Sequence, residues 1–97
     1  MMNMTISKEA AAWFEQEMDV TRGDEVQFFV RYGGDANFQK GFSLGLTVKE
    51  ADDAAVEVTE KGIRFYVERK DIWYFDDTDF HVDYDQEKEE IAFILGD

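Results

Sequence analysis

Four side chains able to meet around a metal ion, Asp79, His81, Asp83 and Asp85, stand at alternate positions of this 97-residue sequence. Alternate residues of a β-strand project from one face, so the spacing predicts an imidazole flanked by carboxylates, with Asp76 and Asp77 nearby. Imidazole plus carboxylate suits iron(II), zinc or manganese. Asp79, His81 and Asp83 are therefore the candidate metal ligands, with iron as the ion a cofactor reading would name. The competing reading is a solvated acidic face, since acids alternating with apolar residues also describe an ordinary exposed strand. A second candidate lies at Gly33–Gly41. This stretch is longer than a usual hairpin loop, and its glycines could bring backbone amides to a ligand. Gly33, Gly34, Asp35 and Asn37 are the candidate binding residues there. The competing reading is that the glycines only supply positive φ angles. The spacing is not that of a phosphate-binding loop, because GxxxxGK[ST] and a following helix are both missing.

Nucleophilic chemistry finds little to use. The chain has no cysteine, which removes thiolate metal ligands, disulfides and a Cys–His pair at once. His81 is the only histidine, and Ser7 and Ser43, the only serines, lack a GxSxG surround. No pair of carboxylates stands out among 23 acids, so the sequence is read as non-enzymatic. Net charge is −13, and it is uneven: residues 1–49 hold seven acids and five bases, residues 50–97 sixteen acids and five bases. Nucleic acid and anionic membrane are disfavoured as partners, because both are held by clustered Lys and Arg. A basic protein face or a cation is favoured. The absence of disulfides, of a signal-type N-terminus and of a long apolar run points to the cytoplasm.

The elements that must position these residues follow from periodicity. Ser7 reads as an N-cap, and Ala10, Trp13, Phe14 and Met18 fall at helical spacing over Lys8 to Met18. From Val26 the period becomes two, with Val26, Phe28, Val30 and Tyr32 on one face. Phe42, Leu44, Leu46 and Val48 repeat the pattern, and the two runs suit an antiparallel pair. Ala54 to Thr59 and Ile63 to Glu68 flank Glu60-Lys61-Gly62 as a hairpin. Asp71 to Phe75 is expected to be a helical turn or tight loop laying aromatics on the core; Trp13, Trp73, Tyr74 and Phe75 could form an exposed binding patch, but aromatics beside an apolar run are more often core and are read so here. Phe80-Val82-Tyr84 and Ile91-Phe93-Leu95 read as two further strands. Arg64, Arg69 and Lys70 are expected to pair with neighbouring acids. The expectation is one α+β domain over residues 1–97: a mostly antiparallel, sandwich-like core with one N-terminal helix and about six short strands.

Several phrases in this order resemble the HesB/IscA-like family, in particular a cysteine-free HesB-like branch. They are Met4-Thr5-Ile6-Ser7 before the Ala10-Ala11 helix, Phe28-Phe29-Val30-Arg31-Tyr32-Gly33-Gly34, Gly41-Phe42-Ser43-Leu44-Gly45, and Asp71-Ile72-Trp73-Tyr74-Phe75 before Val82-Asp83-Tyr84-Asp85. The resemblance implies a compact mixed-strand sandwich with an N-terminal helix. In that family, carriers bind iron or an iron–sulfur cluster through three cysteines, the first after a Gly-Gly pair and the others in a Cys-Gly-Cys segment. Here Asp35 follows Gly33-Gly34, and Leu95-Gly96-Asp97 stands where the second segment would be. One hard carboxylate does not replace three soft thiolates. The resemblance thus implies an accessory role in iron–sulfur cluster assembly or iron metabolism, with assembly proteins as partners. Two alternatives stand beside it: an acidic protein-interaction module, and a divalent-metal binder using oxygen and imidazole ligands.

Overall fold

A computed structural model describes residues 2–34 and 38–96 and gives an α+β fold. In chain order the elements are β1 (Met4–Ile6), α1 (Lys8–Glu17), β2 (Glu25–Tyr32), β3 (Phe42–Val48), β4 (Ala54–Glu60), β5 (Ile63–Glu68), a 3-10 helix (Arg69–Phe75), β6 (Phe80–Asp85) and β7 (Glu90–Leu95). Local chemistry sets most of these boundaries. Ser7 caps α1, its Oγ accepting from the Ala10 N–H at 3.1 Å, and Ala10, Ala11 and Phe14 form the buried stripe. The β4–β5 hairpin turns on Lys61 and Gly62, at φ 56° and 76°. Two successive positive φ values are the type I′ geometry that matches strand twist.

The strands form two sheets, ordered β1-β6-β7 and β3-β2-β5-β4. The β2–β3, β4–β5 and β6–β7 pairs are antiparallel, the first two as the alternating runs suggest. The other two, β1–β6 and β2–β5, are parallel. There are also seven strands, not about six. β1 is only three residues long and lies against a partner some 76 positions away, so no local pattern announces it.

Because β3 and β4 occupy opposite edges of one sheet, the chain from Lys49 to Asp53 must cross its width. Three strand spacings come to about 14 Å, and the six Cα–Cα steps from Val48 to Ala54 reach at most about 20 Å. The crossing has little slack. It is tied down along its length: Lys49 C=O accepts from Tyr66 OH, Ala51 N–H donates to Glu25, and the Asp52 and Asp53 N–H groups donate to Glu68 Oε1 and Oε2 at 2.8 and 2.6 Å. Glu68 is buried, and these bonds are what make burial of its carboxylate tolerable.

The two sheets are locked by aromatic rings. Phe28 of β2, fully buried, contacts Phe14 of α1, Phe65 of β5, Phe80 of β6 and Phe93 of β7, with centroids 5.6–6.3 Å apart. Tyr74 and Phe75 of the 3-10 helix are buried as expected, whereas Trp73 is 49% exposed. With three residues per turn, Asp71 and Tyr74 share the inward side and Trp73 falls on the other.

Candidate functional site

The outer face of β6 gathers the predicted metal ligands and gives each a separate task. Phe80 and Val82 are buried, so His81 and Asp83 face outward, as the alternation requires. Asp79 Oδ1 accepts from the Asn3 N–H at 2.8 Å and so holds the start of β1. The His81 Nε2 lies 2.7 Å from the Gly96 carbonyl oxygen, and Nδ1 lies 2.6 Å from Thr5 Oγ1. A carbonyl only accepts, which assigns a proton to Nε2, and Nδ1 is hydrogen-bonded to the Thr5 hydroxyl. Both ring nitrogens are thus used in tying β6 to β1 and to the residue after β7. Asp83 Oδ1 accepts from the adjacent Tyr84 N–H. Among the described residues no three His, Asp or Glu side chains converge in a way that could hold a metal ion.

The glycine loop is visible at its two ends. Gly33 and Gly34 take φ 88° and 72°; Gly33 N–H donates to Gly41 O, and Ser43 Oγ donates to Gly33 O. A side chain at Gly34 would meet Ser43 Oγ at 2.8 Å, so the backbone turn itself requires glycine there. The returning arm is pinned to the 3-10 helix: Phe38 N–H donates to Tyr74 OH, and Gln39 Nε2 donates to Tyr74 O. Asp35 and Asn37, the polar members of the predicted loop site, lie outside the described residues. A cluster carrier needs thiolate donors, and this chain has no cysteine to supply them. The residues present do not fit the three-thiolate site that the family resemblance brings to mind.

Two features had no clear signal in the sequence. The first is an aromatic row at the open end of β2 and β3: Tyr32, 91% exposed, meets the half-buried Phe42 at 5.5 Å, and Phe42 meets Trp73 at 5.3 Å, both edge to face. Trp73 also lines a surface pocket of about 290 Å³ with Met2, Val56 and Ile72. The alternation that put Tyr32 and Phe42 on the core face holds for Phe42, which packs partly buried against the core, whereas Tyr32 at the end of β2 stands clear of it.

The second feature is Asp71. Its side chain is buried and accepts from the Val30 N–H where β5 no longer runs beside β2, while Oδ2 has no partner among the described residues. Burial pushes its carboxyl above the ordinary value of 3.8, outweighing the Val30 bond and nearby Lys70. The folded state then holds this proton when the unfolded state has released it. Stability from this group falls as pH rises from 3.8 through the raised value, and the cost is fully present above it. Asp71→Asn should flatten that segment of the stability–pH curve; urea midpoints measured across it, if parallel for the two proteins, would contradict the assignment.

The basic cluster pairs as expected in part. Arg64 bonds Glu57 and Glu25, and Arg69 lies 3.5 Å from Asp53. The Glu57 carboxyl is lowered chiefly by its hydrogen bond from Arg64. Tyr66 beneath them is pushed up to about 12, first by burial and then by Glu68 and Glu25, so it remains a neutral donor to Lys49 O. Among the described residues no helix is long and apolar enough to cross a membrane.

Residues 2–96 match the family described as iron-sulphur cluster biosynthesis. A protein of Bacillus subtilis named pyruvate dehydrogenase inhibitor is 47% identical over 92 residues, covering 95% of this chain and 97% of that protein. Uncharacterised proteins of Staphylococcus epidermidis and Staphylococcus saprophyticus are 37% and 35% identical over 95 residues, each alignment covering 95% of this chain and 97% of the relative. The family model and these full-length alignments establish that the chain belongs to the iron-sulphur cluster biosynthesis family.

Proposed function

We propose that this protein is a non-catalytic regulator that binds pyruvate dehydrogenase and lowers its activity, using the family fold as a docking scaffold and not as a cluster carrier. The observation that carries this reading is the 47% identity, over nearly the full length of both chains, to the protein bearing that name. The residues agree with it. The three thiolates of a carrier are missing, the single imidazole is spent on structure, and exposed aromatics and a strong negative field remain as means of protein recognition. Inhibition by binding requires no reacting group on the inhibitor. Added to pyruvate dehydrogenase complex purified from the same cells, the protein should lower the rate of NADH formation in a saturable way and co-elute with the complex. An unchanged rate at large excess, with no co-elution, would sink the reading.

The family match supports a second reading, an accessory role in iron–sulfur assembly through protein contact with assembly components. It predicts that a deletion strain loses activity of cluster-containing enzymes. Normal activity of those enzymes in the strain, with no assembly protein recovered by pull-down, would exclude it.

A further inference from the structure

The two sheets have four edges, and natural sheets protect such edges against pairing with foreign chains by shortness, charge, bulges or cover. Three edges here are protected. β1 is only three residues long. β4 carries a register break between Ala54 and Val56 and an outward Glu57. β3 is covered at Phe42, whose N–H donates to Gln39 O and whose C=O accepts from Tyr74 OH. β7 after its first residue, Glu90, has none of these devices: Ile91-Ala92-Phe93-Ile94-Leu95 contains no charge, no proline and no bulge.

The pairing register shows which of its backbone groups are free. Gly96 N–H donates to Asp79 O, so in the antiparallel β6–β7 ladder residues 92, 94 and 96 turn their backbone groups toward β6. The N–H and C=O of Ile91, Phe93 and Leu95 then point away from the sheet, and none has a hydrogen-bond partner among the described residues. Phe93 is held from behind by Phe28 and Phe80, which makes the edge rigid, and Ile94 is 47% exposed on the outer face.

We propose that the outer edge of β7 is the docking site of this protein, where an extended, basic segment of the partner adds as a fourth strand to the β1-β6-β7 sheet. This deepens the proposed inhibitor function and rests on it for the partner. Charge selects the occupant. The hairpin carries Asp83, Asp85, Glu87, Glu89 and Glu90 against one Lys88, and a second copy would bring another net −13 to the same edge. A strand added beside β7 alternates its side chains. One set continues the apolar row of Ile91, Phe93 and Leu95, and the other lies beside Ala92 and Ile94, near Asp83 and Glu90, where Lys or Arg is favoured.

Residue-resolved amide exchange of the intact protein tests this with two probes, the pyruvate dehydrogenase complex and a synthetic peptide alternating Lys and Val, with a Glu-Val peptide as control. The Ile91, Phe93 and Leu95 amides should gain protection with either probe, Leu46 and Val48 on β3 should not, and the Glu-Val peptide should protect nothing. The double change Asp83→Lys with Glu90→Lys, both exposed, should weaken Lys-Val binding by about tenfold or more. A complex that binds while the β7 amides stay unprotected overturns the docking site and leaves the inhibitor reading standing. A complex that does not bind, with β7 protected by the Lys-Val peptide, overturns the inhibitor reading and leaves the edge as a basic-strand site. Protection by neither probe, or at β3 instead, overturns the proposal.

Discussion

Phe28→Ala is expected to lower the unfolding free energy by about 4 kcal/mol, the cost of emptying a fully buried phenylalanine site that the surroundings can only partly refill. Four rings from α1 and three other strands contact Phe28, so the cavity opens at the seam between the sheets and cannot be closed by moving one neighbour. In a domain of this size such a loss lowers the melting temperature by roughly 15–30 °C. Phe29, the next residue, faces the opposite side of β2 and is only half-buried; Phe29→Ala should cost about 1 kcal/mol. Urea unfolding followed by circular dichroism compares the two, and a Phe28→Ala loss no greater than that of Phe29→Ala would show that the sheets are not joined through this ring. The variant also bears on function, because Phe28 backs Phe93 and hence the free edge of β7.

The second large effect is expected at Glu68. Glu68→Ala removes the acceptors of the Asp52 and Asp53 N–H groups from a buried position and should destabilise the fold by about 3 kcal/mol. Glu68→Gln keeps one acceptor oxygen and should lose about half of that. The two amides lose their carboxylate acceptors, and amide exchange at Asp52 and Asp53 should speed up in Glu68→Ala before the strands open. Unchanged exchange there, with unchanged stability, would mean that Tyr66 and Glu25 hold the crossing without Glu68.

Ser7 and the Ala10-Phe14 stripe, the period-two runs and the Lys61-Gly62 turn each announce themselves, because an N-cap, a helix face and a type I′ hairpin depend on neighbours a few residues away. The α+β class, the antiparallel pairs β2–β3 and β4–β5 and the family resemblance follow from such short-range signals. So does the exclusion of thiolate chemistry, which is a matter of composition. The parallel pairs β1–β6 and β2–β5, and with them the placement of β3 and β4 on opposite edges, depend on contacts between distant segments that leave no periodic trace. The candidate metal face divides along the same line. Alternation was enough to put His81 and Asp83 on one side of a strand, but what each side chain does was decided by β1 and the end of β7, which supply Thr5 and Gly96 as the imidazole's partners. Glu68 and Asp71 read in sequence as two more surface acids in an acidic half. Only the packed fold buries them, because burial depends on which segments cover a residue, and only there does one become a tether and the other a carboxyl that favours its protonated form.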